Sequence, residues 1–109
     1  MAVNRKIALV TAANRGLGFE TCHQLAQLGL TVILSARDLA KGETAAKTLI
    51  GKGYDVIFFQ LDVSDQINIS RITNHIEQEF GQLDVLVNNA AILYDTWQNA
   101  VNADFDVVK

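Results

Sequence analysis

Proline is absent from the 109 residues, and cysteine, methionine and tryptophan each occur once. A single cysteine rules out an intramolecular disulfide framework and points to a reducing, cytoplasmic compartment. The lack of proline is unusual for a finished domain with many loops. No apolar run is long enough to cross a bilayer. The residues before the first strand signal have neither the long apolar region nor the cleavage site of a signal peptide. Lys and Arg number 9 against 12 Asp and Glu, so there is no basic excess to attract nucleic acid or an anionic membrane. His23 and His75 have no ligand partners at metal-binding spacing, so no metal site is expected and both read as surface residues.

What is present fits a soluble globular domain. Half of the residues are hydrophobic and 19% are charged, which is enough apolar material for one modest core. No repeat or low-complexity linker interrupts residues 1–109, which read as a single domain.

Strand and helix signals alternate along the chain. Strands are expected over 6–10, 31–36, 55–61 and 83–87. A helix over 17–28 places Phe19, Cys22, Leu25, Ala26 and Leu28 on one side and stops at Gly29. A second helix starts at an Asp38 N-cap and runs towards Lys52, with Leu39, Ala46, Leu49 and Ile50 as its apolar marks. A third opens at Ser64 or Asp65 and carries Ile69, Ile72, Ile76 and Phe80 at helical spacing up to Gly81. Residues 95–109 read as the first part of a further helix. Short apolar strands between amphipathic helices give an α/β, doubly wound parallel sheet of Rossmann type. Right-handed crossovers set its strand order at 3-2-1-4, cut off after the fourth strand and the start of the next helix. The outer edge of the fourth strand has no neighbour in these residues and invites self-association.

The most informative stretch is Ile7-Ala8-Leu9-Val10-Thr11-Ala12-Ala13-Asn14-Arg15-Gly16-Leu17-Gly18. It reads as a buried strand, a turn of small residues and a helix start. Glycines let a ligand approach the backbone, and the free N–H groups and dipole of the helix favour a negative charge. This is the entry to a dinucleotide-binding βαβ unit and suggests a nicotinamide cofactor. Cys22, among apolar neighbours on the first helix, reads as an inert buried thiol. Leu9, Val32 and Leu34 read as core.

Together with Leu61-Asp62-Val63 and Leu83-Asp84-Val85-Leu86-Val87-Asn88-Asn89-Ala90-Ala91, this stretch resembles the short-chain dehydrogenase/reductase family. The family carries T-G-x-x-x-G-x-G at the end of its first strand and N-N-A-G at the end of its fourth. The segment Ser35-Ala36-Arg37-Asp38, followed by Lys41-Gly42, looks closest to the carbonyl reductase branch. The resemblance covers the amino-terminal half of the family domain. Two positions depart from it: Ala12 stands for the first glycine, and Ala91 for the last glycine of N-N-A-G. A methyl group where φ must be positive costs on the order of 1 kcal/mol and narrows the approach to a ligand.

The resemblance implies cofactor contacts at Thr11, Ala12, Asn14, Arg15, Gly16, Leu17, Gly18, Arg37, Asp62, Val63, Asn88, Asn89 and Ala90. Asn14 would face the phosphates, Asp62 would bond the adenine amino group and Val63 would pack beside the base. Asn88 would brace the central strands, and Asn89 would lie along the cofactor. Each has a plainer alternative. Gly16 and Gly18 also suit tight strand–helix packing, Asn14, Asn88 and Asn89 suit turns, Asp62 suits a helix entry, and Arg15 and Arg37 suit a solvated surface. An NAD-specific protein carries an acidic residue at the end of the second strand. Here Ala36 holds that place and Arg37 follows. A guanidinium there forks onto a 2′-phosphate, which selects NADP, with Arg15 approaching from the other side.

The family reaction, carbonyl reduction or its reverse, uses a Y-x-x-x-K pair with a serine and an asparagine. Tyr54 is followed four residues on by Phe58, and Tyr94 by Gln98. Ser35, Ser64 and Ser70 fall in the cofactor half, and Asn99 and Asn102 come too early. No catalytic residue is therefore assigned. The leading expectation is an NADP-dependent, carbonyl reductase-like oxidoreductase present as its cofactor-binding half, meeting a carbonyl substrate only when the other half is supplied. The alternative is a stand-alone nucleotide-binding or interaction module. A methyltransferase is the least favoured, because it would carry neither N-N-A-x nor an arginine after the second strand.

Overall fold

The computed structural model of the chain describes residues 5–89. The expected helix over 95–109 lies outside them, as do Ala90, Ala91, Tyr94, Asn99 and Asn102. Four strands, β1 (Ile7–Val10), β2 (Thr31–Ala36), β3 (Val56–Gln60) and β4 (Val85–Val87), alternate with three helices, α1 (Gly16–Gln27), α2 (Leu39–Ile50) and α3 (Gln66–Glu79). All strand pairs are parallel, and the order is β3-β2-β1-β4, as the alternation of apolar strands and amphipathic helices predicts. β1 and β2 are buried at every position, which is why they read as continuous apolar runs.

β2 and β3 are added on one side of β1 and β4 on the other, so right-handed crossovers put helices on both faces of the sheet. On one face α3 sets Ile69, Ile72 and Ile76 against Ile7, Leu9, Ile33 and Leu86. On the other, α1 and α2 set Cys22, Ala26, Ala46 and Leu49 against Val10, Val32 and Leu34. Ile69, Ile72 and Ile76 are fully buried, a contribution of roughly 2 kcal/mol each from area removed from water. Cys22, Ala26 and Ala46 are small and let α1 and α2 approach the sheet, while Leu49 fills the core between α2 and the strands.

Helix ends follow the sequence signals. Asp38 accepts from the Lys41 N–H at 2.9 Å and Asp65 from the Ile67 N–H at 2.9 Å, each as the N-cap of its helix. Gly29, Gly53 and Gly81 take positive φ just beyond α1, α2 and α3. Three expected core residues are corrected. Leu28 is 76% exposed, Leu39 50% and Ile50 48%. Leu28 is the C-cap residue of α1, and Leu39 and Ile50 are the two end residues of α2, so helical spacing over-extends each buried face by a residue or so. His23 and His75 are also less peripheral than expected. Both are half-buried, His23 tilted against Tyr54 and His75 between Phe59 and Phe80.

The lower ends of the strands are tied by carboxylates. Asp84 accepts from the Ile7 N–H at 2.7 Å, and its own N–H donates to the Ile7 carbonyl at 2.9 Å. Asp55 accepts from Thr31 Oγ1 at 2.6 Å and pairs with Arg5 at 2.9 Å. Among the described residues no helix is long and apolar enough to cross a membrane.

Candidate dinucleotide site at the upper ends of the strands

The upper ends of β1, β2 and β4 meet in one hydrogen-bonded knot. The Thr11 N–H donates to the Val87 carbonyl at 3.0 Å. The buried Thr11 hydroxyl donates to Asn88 Oδ1 at 3.1 Å and accepts from the Asn89 N–H at 2.8 Å. Asn89 Nδ2 donates to the Ala12 carbonyl at 3.1 Å. From β2, Ser35 Oγ donates to the Val10 carbonyl at 2.9 Å, and the Ser35 carbonyl accepts from the Ala13 N–H at 2.8 Å. The turn into α1 is thus pinned from both neighbouring strands before the helix begins.

Within that turn Ala12 has φ +51° and Gly16 φ +62°. Gly16 needs its glycine for the backbone angle, and the space where a Cβ would sit is open. Gly18 needs its glycine for proximity. A Cβ there would stand 2.7 Å from both the Ala12 carbonyl oxygen and Asn89 Nδ2. α1 differs from the other helices at its start. Its N-cap residue, Arg15, makes no side-chain cap bond, whereas Asp38 and Asp65 cap α2 and α3. The first N–H groups of α1, beside the open face of Gly16, therefore lack a protein carboxylate and suit a phosphate.

A cleft of about 1000 Å³ opens between the starts of α1 and α2. Asn14, Arg15 and Phe19 line it from one side, and Arg37, Asp38, Lys41 and Thr44 from the other. Arg15, Arg37 and Lys41 are exposed cations. The one carboxylate, Asp38, already caps α2 through Lys41 N–H. Ala36, the last residue of β2, is buried and carries no charge.

Of the sequence candidates, Asn14, Arg15 and Arg37 share this cleft, while Thr11, Ala12, Gly18, Asn88 and Asn89 form the knot behind it. Leu17 projects at 81% exposure beside Gly16. Asp62 and Val63 lie in the turn after β3. Asp62 Oδ1 accepts from Ser64 Oγ at 2.6 Å and Ser64 N–H at 3.0 Å. These bonds, with a smaller contribution from the Arg37 guanidinium, hold its carboxyl below the ordinary aspartate range. Val63 packs against the α3-side core. Ala90 lies outside the described residues.

Sequence reasoning did not place Lys41 and Thr44 in the cleft. The signal available was the Asp38 cap, which brings the first turn of α2 beside Arg37. On the same helix Gly42 is buried, and a Cβ there would run into the Phe58 ring.

Residues 6–108 match the model of the short chain dehydrogenase family. The chain belongs to that family. Family members are oxidoreductases that bind a nicotinamide dinucleotide. The chain is 44% identical over 95 residues to carbonyl reductase (NADPH) 1 of Sus scrofa, covering 86% of this chain and 33% of the relative. It is similar to the solved structure of menthone neomenthol reductase from Mentha piperita, with 43% identity and a TM-score of 0.77 over 83% of this chain and 33% of that one. A metagenomic short-chain oxidoreductase solved in complex with NADP has 32% identity and a TM-score of 0.75, over 80% of this chain and 39% of that one. The chain spans about a third of the length of the curated relatives it matches.

Proposed function

We propose that these residues form the NADP-binding part of a carbonyl reductase-like oxidoreductase. The observation that carries this reading is the cleft, where Arg15, Arg37 and Lys41 stand together beyond an uncharged end of β2. A carboxylate at that end would accept the ribose hydroxyls of NAD and repel a 2′-phosphate. Arginine instead offers a planar fork of donors to the phosphate oxygens. The NADPH in the name of the Sus scrofa relative and the NADP bound to the metagenomic structure support the same choice.

The residues fit such a cofactor. The uncapped start of α1 and the open face of Gly16 receive the pyrophosphate. The Thr11–Asn88–Asn89 knot keeps the turn at a fixed height above the sheet. Asp62 and Val63 offer a carboxylate and an apolar wall to the adenine. Leu17, exposed beside Gly16, offers an apolar surface to the cofactor. When bound, the nicotinamide supplies the hydride for carbonyl and alcohol interconversion. No tyrosine in these 109 residues is followed four positions on by lysine, so no residue here is assigned the transfer of the hydroxyl proton.

Replacing Arg37 by Asp in the full-length protein tests the reading. The carboxylate should shift coenzyme preference from NADP towards NAD by at least about tenfold. Unchanged selectivity would remove Arg37 from the cofactor site.

A further inference from the structure

Arg37 occupies an unusual place in the backbone. The residue before it, Ala36, ends β2, and its carbonyl accepts from the Leu61 N–H at 2.9 Å in the β2–β3 ladder. The residue after it, Asp38, belongs to the start of α2. Its carbonyl accepts from the Gly42 N–H at 2.9 Å and its side chain from the Lys41 N–H. Arg37 itself sits between sheet and helix, and its carbonyl accepts from a side chain instead. Gln60, paired with Ala36 in the sheet register, donates from Nε2 to the Arg37 carbonyl at 3.1 Å.

We propose that Gln60 is a positioning residue for coenzyme selection, because its amide continues the β2–β3 ladder by one rung and fixes the backbone from which Arg37 reaches the 2′-phosphate. The inference rests on the reading of Arg37 given above. A guanidinium binds phosphate well only when its plane meets two oxygens, so the direction of its Cα–Cβ bond matters. A small rotation at the root of a long side chain becomes a large displacement at its tip. Gln60 is exposed and at the last position of β3, so its side chain adds little to the core. Its effect should fall on ligands that carry the 2′-phosphate and spare those that lack it.

The test compares 2′,5′-ADP with 5′-AMP, by titration calorimetry, on the full chain and its Gln60→Met, Gln60→Glu and Arg37→Met variants. Methionine keeps the length of the side chain and removes the donor. Gln60→Met should weaken 2′,5′-ADP binding by about two- to tenfold, the worth of one hydrogen bond, and leave 5′-AMP unchanged. Gln60→Glu should weaken it further, because a carboxylate faces the Arg37 carbonyl and adds a negative charge near the phosphate. Equal losses for both ligands would make Gln60 merely structural, and no loss would make the bond irrelevant. Either result overturns the proposal while Arg37→Met still abolishes the preference for 2′,5′-ADP. If Arg37→Met leaves that preference intact, the reading of Arg37 falls, and the role of Gln60 falls with it.

Discussion

Asn89 Nδ2 lies 3.1 Å from the carbonyl oxygen of Ala12, a bond that spans 77 positions of sequence. It crosses the point where Gly18 brings α1 against the end of β1. The same two atoms are the nearest obstacles to any side chain at residue 18. The glycine turn, the first strand and Asn88-Asn89 are therefore one structural unit. Each part constrains the others before any cofactor is considered.

Gly18→Ala should destabilise the fold by about 1–3 kcal/mol, the range for overpacking a close contact. The loss should be smaller in an Asn89→Ala background, where one of the two obstructing atoms is gone. Gly16→Ala meets open space and should cost only the strain of a positive φ, about 1 kcal/mol. Urea unfolding of the three variants checks these values, and a Gly18→Ala cost below that of Gly16→Ala would contradict them.

Ala12 is an L-residue in the left-handed region, at φ +51°. That conformation costs about 1–2 kcal/mol, of which glycine entropy takes back about half. Ala12→Gly should therefore raise stability by about 0.5–1 kcal/mol. A rise in the urea midpoint at constant slope is the expected result. A lower midpoint would mean that the methyl group makes compensating contacts.

Much of this architecture is legible in the sequence, because its causes are local. Apolar runs mark the strands, Asp38 and Asp65 mark helix starts, and Gly29 and Gly81 mark stops. Strand order follows from the handedness of the crossovers. The parts that could not be read are long-range. Asp84 gripping Ile7, Gln60 holding the Arg37 carbonyl and Gly42 lying against Phe58 depend on sheet register, which no local pattern encodes. Leu28, Leu39 and Ile50 show the opposite failure. Their spacing is right for a buried face, but the helix ends where they stand.

Asp62 carries a pH dependence of known sign. Its carboxyl is held below the ordinary aspartate value, mainly by Ser64 Oγ and then by the Ser64 N–H. The ionised form is favoured in the fold, so its contribution is complete above about pH 4 and disappears as pH falls through the lower folded value. In an NMR titration Ser64→Ala should move the Asp62 midpoint back up towards the ordinary range. An unmoved midpoint would remove Ser64 as the cause.

Cys22 is fully buried, and burial pushes its thiol up to about 12. At pH 8 only about one molecule in ten thousand then carries a thiolate. A disulfide reagent such as DTNB should leave the native chain unmodified and label one thiol per chain in urea. Rapid labelling of the native chain would contradict the packing of α1 on the sheet.

The central claim is that the cleft between α1 and α2 selects the 2′-phosphate of NADP. Titration calorimetry of the unmodified protein with NADP and with NAD, at one ionic strength, tests it most directly. The account predicts that NADP binds about ten- to a hundredfold more tightly, as one charge-assisted bidentate contact provides. Equal affinities, or tighter binding of NAD, would contradict it.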